Sequence, residues 1–271
     1  MNVAASIMDS APSTRRHGAG TFDGVIVLAI ALVLWQGASA YVGDTALASP
    51  VATLAFLAKF LRTATFWSHF AATASSFATA LVIGAFLGIL LGLVLGLKRF
   101  AGDVAEPILA GFYSIPKVTL YPMILLIFGL GMSAKVAFGV IHGVVPVILF
   151  TMAAVKNVSP VLVRTARAMR LSQIETVRTI LVPAVLPEMM SGLRIGFSLT
   201  LFGVLIGEMF ASQRGLGFLL VNGINLNNVP MTTGMIVIVI TFAFTANGLL
   251  RWLERRFARS DRAAGDEARA A

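Results

Sequence analysis

The chain has 271 residues, 58% of them hydrophobic and 12% charged, with a mean hydropathy of +0.89; a water-soluble core of this size needs more polar surface than that. The formal net charge is +9, the excess expected of a membrane protein that keeps Lys and Arg in cytoplasmic loops rather than of a nucleic-acid binder. Cysteine is absent, which excludes disulfides and thiolate metal sites.

In chain order, the apolar runs predict an all-α, polytopic membrane protein. About six spans are expected, over residues 22–42, 68–97, 106–130, 135–156, 188–210 and 231–251, each near the ~20 residues that cross a hydrocarbon core. This divides the chain into an N-terminal tail (1–21), one transmembrane domain (22–251) and a C-terminal tail (252–271), the last charged, rich in small residues and expected to be disordered at its end. The first span also resembles a secretory signal peptide, with a basic flank and small residues at Ala38-Ser39-Ala40. It is read as an uncleaved span because the apolar run continues to nearly full membrane length, and cleavage stays open.

The second span carries a ladder of small residues, Ala72, Ser76, Ala80, Gly84, Gly88, Gly92 and Gly96. Four-residue spacing leaves one helix face nearly smooth, so another backbone can approach it closely. Packing within the chain is the expectation, and a subunit interface is the alternative use. The third span is interrupted by Pro107, Pro116 and Pro122. Pro107 suits a helix start, whereas Pro116 and Pro122 are each expected to break or kink the span. Two arrangements stay open: a broken helix lining a wet cavity, or an amphipathic helix on the cytoplasmic side followed by a kinked span, with Lys117 reaching the headgroups.

Ionisable residues in the spans are few. His142 is expected to be a hydrogen-bonded interior residue, and Arg194 and Glu208 to serve interfacial or inter-helix contacts. Pro116, Pro122, His142 and Glu208 are the candidate pathway residues. Counted by loop with the N-terminus inside, fifteen of the Lys and Arg residues fall on the cytoplasmic side and four (Lys59, Arg62, Lys135, Arg214) outside. That asymmetry predicts both termini in the cytoplasm.

Between the fourth and fifth spans lies RTARAMRLSQIETVRTILVPAVLP, Arg164 to Pro187. Ser159-Pro160 predicts an N-cap and first turn, with a short helix over about 160–170. Ser172 and Glu175 form a capping-box pattern, opening a second short helix expected to stop at Pro183. No phosphate-binding Gly-rich loop, metalloprotease motif or nucleophile elbow is present, so no catalytic constellation and no cofactor is expected.

This loop resembles the cytoplasmic coupling loop of binding-protein-dependent ABC importer permeases. The stretches SIPKVTLYPMILLIFGLGMSAK (114–135) and LPEMMSGLRIGFSLTLFGVLIGEMFASQRGLGFLL (186–220) are similar to the nitrate/sulfonate/taurine-type branch. The resemblance implies a type I importer fold in the cell (inner) membrane, with a permease pair, as a homodimer or with a related chain, around the pathway. It also implies two cytoplasmic ATPase subunits on the coupling loops (here 157–187) and an extracytoplasmic solute-binding protein. No nucleic acid is expected. By position, Thr165 and Ala166 take the places of two family alanines and Pro183 that of the late proline; Arg167, Arg170, Ser172 and Glu175 lie in the same docking element. Arg164 stands at the family's Glu place, Arg170 at its Gly place, and Val182 replaces the residue before the Pro. The implied function is ATP-driven import of a small anionic solute, with hydrolysis by the partner subunit. Nitrate, taurine, alkanesulfonates, thiamine-precursor pyrimidines and aromatic acids all remain open. A self-sufficient secondary transporter or channel is the alternative, disfavoured because the spans show no charge network and no repeat symmetry.

Overall fold

A computed structural model describes residues 22–270, so the N-terminal tail with Arg15 and Arg16 lies outside the described residues. The described backbone contains helices and turns. Among the described residues, five helices are long and apolar enough to cross a membrane, and a bent pair makes a sixth. All the α-helices, in chain order, are α1 (Phe22–Val42), a short α2 (Pro50–Phe60), α3 (Ala64–Leu97), α4 (Arg99–Ser114), α5 (Tyr121–Phe128), α6 (Met132–Lys156), α7 (Pro160–Ala168), α8 (Gln173–Thr176), α9 (Val182–Ala211), α10 (Leu216–Asn225) and α11 (Val229–Ala270).

The centre of the fold is α6, held between α3 and α9. The small-residue face of α3 lies against it. A Cβ on Gly92 would stand 2.5 Å from Thr151 Cβ and 2.8 Å from the carbonyl of Ile148, closer than packed atoms allow, so only glycine permits this approach. On its other side α6 meets α9 through glycines as well: Gly196 lies 2.8 Å, measured to an added Cβ, from the carbonyl of Gly143. Phe77 and Ala80 of α3 meet Phe197, Leu201 and Val204 of α9 in a buried cluster beside this core. With no hydrophobic drive between helices in lipid, such close backbone packing is what holds them together.

The third predicted span is corrected in two respects. Its helix starts at Arg99, and Pro107 sits inside α4. Pro116 then ends α4, and the chain turns by 88° into the segment Lys117–Phe128. The cause is local. Proline forces its predecessor out of the helical region, and Ile115 is extended at φ −68°, ψ 135°. Pro122, expected to break the span, instead lies in the first turn of α5, where its missing N–H costs nothing. Lys117 does not reach outward: its ammonium folds back onto the carbonyl of Tyr113 at 3.1 Å and lies over the Tyr113 ring.

Two other expectations fail. Pro183 does not stop the second loop helix. A π-helical turn, Val177–Leu181, precedes it and feeds directly into α9. The wider turn relieves the crowding between the proline ring and the carbonyl four residues back. The C-terminal tail, expected to be disordered at its end, continues α11 as helix to Ala270, in keeping with its Ala, Arg and Glu content.

Candidate functional site

Two regions carry chemistry, at opposite ends of the α6–α9 core. The first is the loop between those helices. Ser159 Oγ accepts from the N–H of Val161 at 3.3 Å and starts α7. The helix ends in a Schellman motif: Leu171 N–H donates to the Ala166 carbonyl at 3.1 Å, and Arg170 N–H to the Arg167 carbonyl at 3.0 Å. That motif needs a left-handed residue, and Arg170 supplies it at φ +50°. An α7 running on through Arg170 is thereby corrected. The predicted pairing at Ser172 is present in both directions, Ser172 N–H to Glu175 Oε2 at 2.8 Å and Glu175 N–H to Ser172 Oγ at 3.3 Å. Ala166 is buried, while Arg164, Arg167, Arg170 and Arg178 are exposed. Met169 is 65% exposed and Ile174 80%. The loop is therefore internally fixed, with basic and apolar side chains free to meet a partner.

The second region is at the far end of α9. Glu208 is fully buried, yet every side of its carboxylate is engaged. Thr73 Oγ of α3 donates to it at 2.8 Å, the N–H of Gly217 at 3.1 Å, and Lys135 of α6 pairs with it at 3.5 Å. Lys135, 4% exposed, also donates to the carbonyl of Arg214 at 2.6 Å. Thr73 Oγ accepts from Leu216 N–H at 2.8 Å, and His69 Nδ1 from Gly215 N–H at 3.0 Å. A Cβ on Gly215, whose φ is +129°, would fall onto the Glu208 carboxylate. The turn between α9 and α10 is thus tied to α3, α6 and α9 at once. Such an arrangement compensates buried charges by pairing and hydrogen bonding together.

A protein-family model described as "Binding-protein-dependent transport system inner membrane component" matches residues 84–259. The chain belongs to this family. It is a multi-pass membrane permease, a transport subunit that works with a separate ATPase and a binding protein and is not itself a catalyst. The taurine transport system permease protein of Escherichia coli is 28% identical over 71% of this chain and 70% of its own length. The riboflavin transport system permease protein of Chloroflexus aurantiacus is 29% identical over 86% and 88%. A putative aliphatic sulfonates transport permease protein of Bacillus subtilis is 21% identical over 90% and 89%. Among solved structures, an amino acid ABC transporter with histidines matches at TM-score 0.58 and 20% identity, covering 74% of this chain and 98% of that one; this likeness shows the fold.

Within the permease, the candidate pathway residues do not form one site. Glu208 lies in the buried ionic knot. His142, also buried, hydrogen-bonds through Nδ1 with the Phe138 carbonyl at 2.9 Å and stacks edge-on against that ring. Pro116 marks the bend and Pro122 the start of α5. The knot itself went unread in the sequence, where Lys135 counts as an outer-loop cation and the spans as free of a charge network. That reading is corrected here. The sequence holds only its two halves, a lone acid near the end of one span and a lone base just inside the start of another, with no local pattern to join them.

Proposed function

We propose that this permease carries a small anionic solute of the sulfonate type inward, handed over by a binding protein at the α10 end and driven by an ATPase docked at the α7 end. Both termini and the loop 157–187 are then cytoplasmic, and two permease chains, identical or related, form the pathway between them. The names of the taurine and sulfonate relatives support the solute class. The Lys/Arg asymmetry supports the orientation.

The observation that carries the mechanism is the continuity between loop and knot. The capping box, π turn and α9 follow one another without a break from Gln173 to Ala211. The 30 residues of α9 span about 45 Å at the usual helical rise. A displacement imposed on the loop by ATPase closure is therefore delivered to the turn at 212–215. Arg164, Thr165, Ala166, Arg167, Arg170, Ser172, Glu175 and Pro183 belong to the docking element, with Ser172 and Glu175 keeping it rigid.

The test is reconstitution with the cognate ATPase and binding protein in proteoliposomes. ATP-dependent uptake of labelled taurine or short alkanesulfonates is expected. Uptake of an uncharged or cationic solute, with none of the sulfonates, overturns the solute class.

A further inference from the structure

The ionic knot holds the backbone of Arg214 but leaves its side chain unused. Ser212 Oγ donates to the Arg214 carbonyl at 2.7 Å and accepts from its N–H at 3.1 Å, and Lys135 binds the same carbonyl. The guanidinium is exposed, with no acidic partner among the described residues. It lines a cavity of about 620 Å³ together with Ser75, Met132, Lys135, Ser212 and Gln213. The size is that of a small-molecule site.

Charge decides what the cavity takes. Lys135 is neutralised by Glu208 at 3.5 Å, so the surplus charge at the cavity wall is that of Arg214. The Ser75 hydroxyl already donates to the Ala72 carbonyl at 3.1 Å, as Ser212 does to Arg214. Among the described residues, the side-chain donors left free at the wall are therefore the guanidinium, the Gln213 amide and the hydroxyl of Ser76, which also lines the cavity. A planar fork of N–H groups beside further uncharged donors matches an oxyanion head, and the fixed charge of the guanidinium repels a cation. A concave low-dielectric wall also focuses the field of one fixed charge.

We propose that this cavity is an anion-binding subsite of the permease, at which Arg214 and Gln213 hold the sulfonate, sulfate or carboxylate head of a small solute before it moves on. The proposal rests on the orientation argued above, which puts the cavity on the side of solute delivery. The knot is its positioning device: by fixing the carbonyl and N–H of Arg214, it keeps the guanidinium over the cavity.

The chain lacks cysteine, so Met132→Cys places one reporter thiol on the cavity wall. In the purified permease–ATPase complex in nanodiscs, without binding protein, that thiol is modified by an anionic or a cationic methanethiosulfonate reagent. Arg214→Gln removes a side chain that makes no hydrogen bond or ion pair among the described residues, so the complex is expected to assemble normally. It is expected to lower the anionic-to-cationic rate ratio on the order of tenfold, and Arg214→Lys to restore most of it. Millimolar methanesulfonate or inorganic sulfate should slow modification in the parent and not in Arg214→Gln, against chloride at equal ionic strength. A ratio indifferent to Arg214→Gln, or no protection by either anion, overturns the proposal. Protection seen only on adding unliganded binding protein also overturns it, since the cavity then receives a protein side chain. Protection by the anions alongside failed sulfonate uptake retains the subsite and rejects the solute class.

Discussion

At the scale of single residues, Arg170 and Glu208 each hold a position that costs free energy unless the surroundings require it. Arg170 adopts φ +50° at the closing position of a Schellman motif. A residue with a Cβ pays roughly 1–2 kcal/mol for that conformation and glycine pays almost none. Arg170→Gly is therefore expected to raise the stability of the loop by about 1 kcal/mol, and a β-branched Arg170→Val to lower it. Hydrogen exchange at the Leu171 and Arg170 amides, the two donors of the motif, reports the change directly. Slower exchange in Arg170→Val would refute the assignment. At Glu208 the expectation is asymmetric. Removing one partner of a buried pair leaves an uncompensated charge and costs about 3–5 kcal/mol. Glu208→Met alone should thus destabilise far more than the double change Glu208→Met with Lys135→Met, which removes both charges. Thermal unfolding of the four corners of that cycle in detergent measures the difference. A loss in the double variant equal to the sum of the two single losses would show that the pair is not coupled.

At the scale of elements, the α3–α6 seam is fixed by the absence of side chains. Gly92→Leu forces a branched side chain where even a Cβ meets Thr151 and the Ile148 carbonyl. The helices must separate, at a cost beyond the usual 1–3 kcal/mol of an overpacked core. Loss of the monodisperse complex in size-exclusion chromatography is the expected result, with Gly111→Leu on an open face of α4 as the tolerated control. This seam was legible in the sequence because its residues recur every four positions along one helix. The pairs on the other side of α6, Gly139 with Gly143 and Gly192 with Gly196, use the same spacing but only once each, so they do not stand out from ordinary glycine use. The spans were legible from apolar length, and the capping box because its two residues sit three apart in one turn. The knot was not, because Thr73, Lys135 and Glu208 come from three helices far apart in sequence, and no local pattern joins them. The end of the helix expected over about 160–170 differs for a related reason. Propensity argues against a left-handed arginine, but Leu171 and Ala166 close the turn around it, and those bonds prevail.

At the scale of the whole molecule, one helix joins the loop proposed to dock the ATPase to an ionic knot, and under that proposal the charge of the loop selects the ATPase it meets. The family resemblance gives Glu at the place of Arg164. An ATPase groove suited to that acid would repel an arginine, and mispaired charges at an interface cost several kcal/mol. The cognate groove for this chain should therefore be acidic. Lipid contact is the competing use of exposed arginines. The two readings differ in position dependence: headgroup binding predicts graded losses as any arginine is neutralised, whereas docking predicts losses confined to the loop. Arg164→Glu should abolish co-purification of the ATPase and substrate-stimulated ATP hydrolysis, while Arg251→Glu, at the far end of α11's membrane segment, should leave the complex intact. A compensating acid-to-base change in the ATPase groove should restore assembly with Arg164→Glu and weaken it with the parent permease. Because Ser172 and Glu175 hold the loop rigid without touching Arg164, folding of the loop is preserved in every arm. Unchanged complex yield with Arg164→Glu would leave the lever without its charged contact and refute the acidic groove.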